Sequence, residues 1–85
     1  MHYHVNVDVT LREGIADPEG ATIERALPAL GFTGITNVHV GKSFRLDVEA
    51  PDESAALEKA TALAERLLSN PVIEDATARL AQVRE

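Results

Sequence analysis

Residues 3–12 read YHVNVDVTLR, and this stretch decides the fold. Its aliphatic and aromatic side chains occupy the odd positions, and its polar side chains occupy the even positions. A period of two is the pattern of a β-strand with one buried and one solvated face. The stretch therefore predicts a strand that ends at Glu13 and Gly14, and the remaining elements are arranged around it.

A first helix is predicted to begin at the sequence Asp17, Pro18, Glu19, Gly20. Aspartate is a favoured N-cap residue, and proline suits the first helical turn. Apolar residues then recur with helical spacing as far as Gly31, which is placed to terminate the helix. Pro28 interrupts this pattern because it lacks an amide donor, so we expect a kink or a broken last turn between residues 24 and 29.

Two further strands are predicted over residues 37–40 and 44–49, where apolar and polar residues again alternate. Between them, Gly41 and Lys42 are short enough for a tight antiparallel hairpin, and glycine can take the positive φ of a primed turn. The hairpin places Lys42 at an exposed tip.

A second helix is predicted from the spacing of the apolar residues Leu57, Ala60, Ala64, Leu67 and Leu68. Asp52 and Glu53 suit its N-terminus, and Asn70 and Pro71 suit its end.

The tail after Val72 alternates apolar and polar residues, but its alanine content also suits a helix. The order β-α-β-β-α lacks one strand of a ferredoxin-like arrangement, so we predict a strand. The expected fold class is α+β, a two-layer β-α-β-β-α-β sandwich with an antiparallel sheet and both helices on one face.

The composition indicates a single small domain over residues 1–85. Fourteen acidic and eight basic side chains give a formal net charge of −6, which disfavours nucleic acid and anionic membranes as partners. The chain has no cysteine, which excludes disulfides, thiolate metal ligands and a cysteine nucleophile. No segment approaches the length of an apolar membrane span, and the expected location is the cytoplasm.

Signals for a site with its own chemistry are weak. His2 and His4 share one strand face and His39 lies on a predicted second strand, but exposed strand faces often carry histidines. The sequence around Lys42 lacks the upstream glycine of a phosphate-binding loop. Phe44 alone cannot provide the stacking platform of an RNA-recognition domain. The residues following Arg12 only weakly imitate an acylphosphatase loop, so we predict no catalytic residue, no metal site and no cofactor bound by this chain.

Taken in order, several short motifs resemble one family over essentially the whole chain. These are the strand that ends at Leu11-Arg12, the Asp-Pro-Glu-Gly helix start, Ala26-Leu27-x-x-Leu30-Gly31, Val38-x-Val40-Gly41-Lys42, and Leu67-Leu68-x-Asn70-Pro71-Val72-Ile73-Glu74. The order and spacing resemble the PurS family, the small subunit of phosphoribosylformylglycinamidine (FGAM) synthase.

This resemblance implies a noncatalytic subunit of a complex in de novo purine biosynthesis. That complex converts phosphoribosylformylglycinamide to FGAM with glutamine and ATP. The PurQ subunit releases ammonia from glutamine, and the PurL synthetase subunit uses ATP and Mg²⁺. A PurS subunit would join PurQ and PurL as a homodimer or higher oligomer and would help ammonia pass between them. Exposed strand edges suit pairing with a second copy.

The resemblance also implies architectural or partner-contact positions along the chain. Under this interpretation they are Arg12, Asp17, Pro18, Gly20, Gly41, Lys42, Asn70 and Pro71. Pro28 inside the first helix and Ala76 at the start of the last strand depart from the family pattern and affect local packing. The alternative function is a free-standing regulatory module that senses a small ligand, for which Asn6, Asp8 and Arg45 are the candidate residues.

Overall fold

The computed structural model of the protein describes residues 1–81. Three strands are present in this part, namely β1 (His2–Leu11), β2 (Gly41–Glu49) and β3 (Glu74–Leu80). Two helices accompany them, α1 (Pro18–Ala26) and α2 (Glu53–Leu63). The strands form one antiparallel sheet in the order β2-β1-β3. The predicted α+β class, with an antiparallel sheet covered by helix on one face, is confirmed.

The predicted first strand is the centre of this sheet. Val5, Val7 and Val9 are at most 1% exposed, because β2 and β3 flank them and α2 covers them. The alternate residues of β1 point to the opposite, polar face. Strand β3 pairs with β1 from Glu74 to Leu80, so the strand predicted for the tail is confirmed within the described residues.

Small side chains let α2 lie close to the sheet. Ala56, Ala60 and Ala64 follow at intervals of four, and each is at most 1% exposed. After Leu63 the helix widens into a π-helical turn, Ala64–Leu68, which ends where the amide and hydroxyl of Ser69 both donate to the Ala64 carbonyl at 2.9 Å. Leu68 packs against the core, whereas Leu67 is 74% exposed. Leu67 therefore fits the helical spacing of the apolar residues without being buried in the core.

The strand predicted over residues 37–40 is absent, and the hairpin predicted at Gly41 and Lys42 is wrong. Gly41 is instead the first residue of β2 and pairs with Thr10 of β1. Burial does alternate along this segment, although no strand forms. Val38 and Val40 are half-buried, and His39 is exposed. The Val40 amide, however, donates to the carboxylate of Asp17 and not to a neighbouring strand.

Pro28 breaks the first helix as predicted. Helix α1 ends at Ala26, and a short 3₁₀ turn, Pro28–Leu30, follows it. Gly31 then adopts φ 87°, the left-handed conformation that glycine takes at a helix end. The amides of Leu30 and Phe32 both donate to the Leu27 carbonyl at 3.0 Å, which closes the segment.

The placement of α1 differs from the prediction that both helices cover the sheet. Helix α2 packs on all three strands, whereas the packing of α1 is mainly against its own 3₁₀ turn. We call residues 18–40 the arm, since they leave the sheet after β1 and return at β2. The radius of gyration is 16.3 Å, against about 12 Å for a compact chain of this length. The apolar face of α1 thus exists as predicted, but it lies away from the sheet.

Candidate functional site

The residues predicted as contact positions gather at one end of the sheet, which we call the sheet end. Here β1 finishes, β2 and β3 begin, α1 starts, and the turn after α2 arrives. Two adjacent grooves lie at this end and share Glu74. The first has a volume of about 400 Å³ and is lined by Val9, Leu11, Asp17, Pro18, Glu19, Val40, Gly41, Lys42 and Glu74.

Asp17 is the most enclosed polar side chain of the first groove, being 7% exposed. Its carboxylate accepts hydrogen bonds from the amides of Gly20 and Val40, each at 2.8 Å. These two bonds hold the pKa of Asp17 below its ordinary value of 3.8, and the nearby His39 ring, 3.5 Å away, acts in the same direction. Asp17 is the N-cap of α1, as predicted, and also a long-range tether.

Gly20 is buried where α1 begins. A Cβ atom at this position would lie 2.1 Å from the Val38 carbonyl oxygen, so only glycine allows the two backbones to approach so closely. Pro18 occupies the start of α1, and its carbonyl accepts from the Thr22 hydroxyl at 2.9 Å. Both residues therefore have structural reasons for their identity.

Gly41 and Lys42 lie on the opposite wall of the same groove. A Cβ atom on Gly41 would lie 2.8 Å from the Val9 carbonyl oxygen, which explains a glycine at the first residue of β2. Lys42 is paired with Val9 in the sheet, and its side chain is exposed. It thus provides a cation at the groove rim, which also carries the carboxylates of Glu19 and Glu74.

The second groove, of about 320 Å³, contains Arg12 and Pro71 beside the start of β3. Arg12 donates to the Glu74 carbonyl at 3.3 Å and forms an ion pair with Asp75 at 3.5 Å. Both side chains of the pair are about half exposed or more, so the pair contributes little to stability. Arg12 is accordingly available as a surface contact.

Asn70 shapes the turn that brings α2 to β3. Its amide donates to the Glu74 carboxylate at 2.7 Å, and its side-chain oxygen accepts from the Val72 amide at 3.1 Å. Its carbonyl also accepts from the amides of Ile73 and Glu74. Glu74 ends the last of the family motifs but was not among the predicted contact positions. Its roles depend on bonds across a turn and on a groove, and no local pattern signals either.

The candidate residues of the alternative function lie on the polar face of the sheet. Asp8 pairs with Arg79 at 3.3 Å, and Asn6 stands in register between Arg45 and Arg79. The Asn6 side-chain oxygen is buried and has no hydrogen-bond partner among residues 1–81. The charge of Asp8 is already matched within the sheet, which does not favour a ligand site there.

The histidines considered as metal ligands contact different residues in different parts of the structure. The His4 ring contacts the Asp47 carboxylate at 2.5 Å, whereas His39 lies beside Asp17. Over the described part of the chain, no group of three or more His, Cys, Asp or Glu side chains is arranged to hold a metal ion. Among the same residues, no helix has the length and apolar character needed to cross a membrane.

Comparison with known proteins places this geometry in context. The family described as PurS, phosphoribosylformylglycinamidine (FGAM) synthase, matches residues 4–82. The FGAM synthase subunit PurS of Synechocystis is 40% identical over 73 residues, which are 86% of this chain and 73% of that protein. The crystal structure of the FGAM synthase PurS subunit of Thermotoga maritima superposes with a TM-score of 0.87 at 34% identity, covering 95% of this chain and 93% of that one. A chain of PurLQS from the same organism gives the same TM-score and identity, covering 95% and 99%.

Proposed function

Because the chain belongs to the PurS family of FGAM synthase subunits, we propose that it is the noncatalytic subunit that joins the PurQ glutaminase to the PurL synthetase. The observation that carries this proposal is the likeness to a chain of PurLQS over nearly the full length of both chains. The likeness covers 95% of this chain and 99% of that chain.

In the assembled enzyme, the chemistry belongs to the other two subunits. PurQ releases ammonia from glutamine, and PurL uses ATP and Mg²⁺ to convert phosphoribosylformylglycinamide to FGAM. The present chain binds no cofactor in this scheme, and it works in the cytoplasm beside its partners. Its contribution is to hold the two active sites at a distance and orientation that let ammonia pass from one to the other.

The sheet end supplies a surface suited to such a partner. Its two grooves are adjacent, and the first has an apolar floor formed in part by Val9 and Leu11. Charged groups of both signs surround that floor, including Lys42 and Glu19. An apolar centre with a polar rim is the usual composition of a protein interface. We therefore propose that the exposed residues Arg12, Pro18, Lys42, Asn70 and Pro71 contact the partner, and that Asp17, Gly20 and Gly41 shape the surface from within.

A second copy of the chain is the other proposed partner. It would cover the arm, which exposes large apolar side chains. Ile23 is 43% exposed, Leu30 69% and Phe32 53%, although all three are large and apolar. Fully burying a side chain of this kind contributes about 1.5–3 kcal/mol relative to full exposure, and roughly half of that remains to be gained at each of these three positions. The sheet offers an open groove of about 500 Å³ between β2 and α2, with Leu46 and Leu63 in its lining. The arm of a second copy would fill this groove with apolar surface.

The test is reconstitution with purified PurL and PurQ. Glutamine-dependent formation of FGAM should require the chain, and the three proteins should migrate as one complex in gel filtration. A charge reversal at the sheet end, Lys42→Glu, should weaken assembly. Glu53→Lys, a reversal of equal size at the start of α2, should leave it unchanged. Activity that is the same without the chain, together with no common migration, would exclude the proposed function.

A further inference from the structure

The arm is closed at its base by one side chain. The carboxylate of Asp17 accepts from the Gly20 amide, three residues ahead, and from the Val40 amide, 23 residues ahead, both at 2.8 Å. Val40 is the last residue of the arm, directly before β2. The two oxygens therefore connect the beginning of the arm to its end.

The surroundings of this carboxylate favour a fixed geometry. Its side chain is 7% exposed, and the His39 ring approaches one oxygen at 3.5 Å. The backbones at Gly20 and Val38 are so close that no side chain fits between them. Charge-assisted bonds to backbone amides are stronger than neutral ones, more so away from water.

Asp52 shows that this arrangement exceeds what helix capping requires. Asp52 is the N-cap of α2, and its carboxylate accepts from the Ala55 amide at 2.7 Å. That local bond is all that an ordinary N-cap side chain provides, since it satisfies one of the free amides in the first helical turn. Asp17 performs the same capping with one oxygen and uses the other to bind a distant part of the chain.

We propose that Asp17 is a latch that sets the direction of the arm relative to the sheet and so positions α1 for a second copy of the chain. Helix α1 packs mainly against its own 3₁₀ turn, so contacts at the base of the arm are what orient it. The part that concerns the second copy rests on the proposed function. The latch itself rests only on the geometry of Asp17, Gly20 and Val38–Val40.

Replacing Asp17 by serine distinguishes the hydrogen bond to Val40, which forms the latch, from the bond to Gly20, which caps the helix. A serine hydroxyl caps a helix about as well as aspartate, but it is shorter and carries one oxygen. Asp17→Ser should therefore preserve α1 and lose the bond to Val40. Asp52→Ser is the matched control, because it makes the same chemical change at an N-cap that has no distant hydrogen-bond partner among residues 1–81.

The experiment uses the full chain and two readouts. Amide hydrogen exchange measured by NMR should show the Val40 amide exchanging on the order of tenfold faster in Asp17→Ser, without a comparable change in Asp52→Ser. Sedimentation should show weaker self-association for Asp17→Ser alone. Circular dichroism should show unchanged helix content in both variants.

The outcomes distinguish the latch from the proposed function. Unchanged exchange at Val40 in Asp17→Ser would refute the latch. Faster exchange at Val40 with unchanged self-association would refute its role in positioning α1. A wild-type chain that stays monomeric would refute the second copy, while the exchange measurement would still decide the latch. If Asp17→Ser does not fold, Asp17→Asn keeps one carbonyl oxygen, and the latch requires the exchange of the Gly20 or the Val40 amide to accelerate.

Discussion

Replacing Gly20 by alanine should loosen the base of the arm. In an ordinary helical position, alanine is more favourable than glycine by about 1 kcal/mol, since glycine loses more backbone freedom on folding. At Gly20 the added methyl would lie 2.1 Å from the Val38 carbonyl oxygen and 3.0 Å from the carboxylate of Asp17. Real Cβ atoms do not approach a backbone atom so closely, so the start of α1 or the segment at Val38 has to move.

The size of the effect follows from this displacement. Relieving the contact requires a shift of about 1 Å between two backbone segments, and overpacking of this kind costs about 1–3 kcal/mol. The same shift would lengthen the hydrogen bond from the Val40 amide to Asp17. For a domain of this size, each kcal/mol changes the melting temperature by roughly 4–8 °C. The middle of the overpacking range, about 2 kcal/mol, less the roughly 1 kcal/mol that alanine gains in a helix, leaves a net loss of about 1 kcal/mol, so we expect Gly20→Ala to melt about 4–8 °C below the wild type.

Urea unfolding and thermal melting at one fixed protein concentration measure this change, because self-association makes both values depend on concentration. Glu19→Ala is the control. Glu19 is exposed in the same helical turn, and its removal should cost less than about 1 kcal/mol.

A Gly20→Ala chain as stable as the wild type, or more stable, would refute the reasoning. That result would mean that the ordinary helical preference for alanine prevails. The approach of Val38 to α1 would then not constrain the fold.

Three further predictions concern the latch, the core and the arm. The bonds to Asp17 lower its pKa below 3.8, so the stability they contribute is present above about pH 4 and is lost as the pH falls through the lower folded pKa. As the pH is lowered below about 4, the urea concentration at the unfolding midpoint should fall less for Asp17→Asn than for the wild type. An equal fall in both proteins would contradict this. Val7→Ala should lower the free energy of unfolding by about 1.5–3 kcal/mol, since Val7 is fully buried, and a loss under about 0.5 kcal/mol in urea titration would count against the described core. Phe32→Ser should raise the dissociation constant of the self-associated chain by about tenfold or more in sedimentation, whereas Val72→Ser, also exposed but outside the arm, should not. Equal effects of the two substitutions would exclude the arm as the specific contact.

The strand β1 and the break of α1 were predicted correctly because their signals are local. The alternation along β1 reports burial on one face, and a central strand buries that face continuously, so period and structure agree. The break of α1 at Pro28 follows from a missing amide donor, which is a property of the residue itself. The strand β3 was decided by the order of elements, because its alanine-rich sequence alone fitted two structures.

The errors arose where the partner of a backbone group is distant. Val38 and Val40 alternate with His39 in burial as strand residues do, but the Val40 amide bonds to a carboxylate 23 residues earlier. Nothing near Val40 in the sequence signals that bond. In the same way, the apolar stripe of α1 showed that a face must be covered without showing what covers it.

The candidate site depends both on local sequence motifs and on contacts between distant parts of the chain. Its residues were identified one by one from a family resemblance, between Arg12 and Pro71, with no prediction that they would meet. Their convergence follows from the sheet order, because β1 ends where both of its antiparallel neighbours begin. The structural roles of Gly20 and Gly41 come from close backbone approaches, which would leave an added methyl group only 2.1 and 2.8 Å from a carbonyl oxygen. Only the fold defines those approaches.

The exposed surface provides an independent reason to expect an assembly. The chain exposes 6518 Å², whereas a compact monomer of 9.1 kDa would expose about 4900 Å². The excess of roughly 1600 Å² comes with a core in which the buried side chains, within residues 1–81, are all valine or alanine. A specific protein interface removes about 800 Å² from each partner, so the excess is enough for two such contacts. One contact with a second copy through the arm and one with another subunit at the sheet end would account for it.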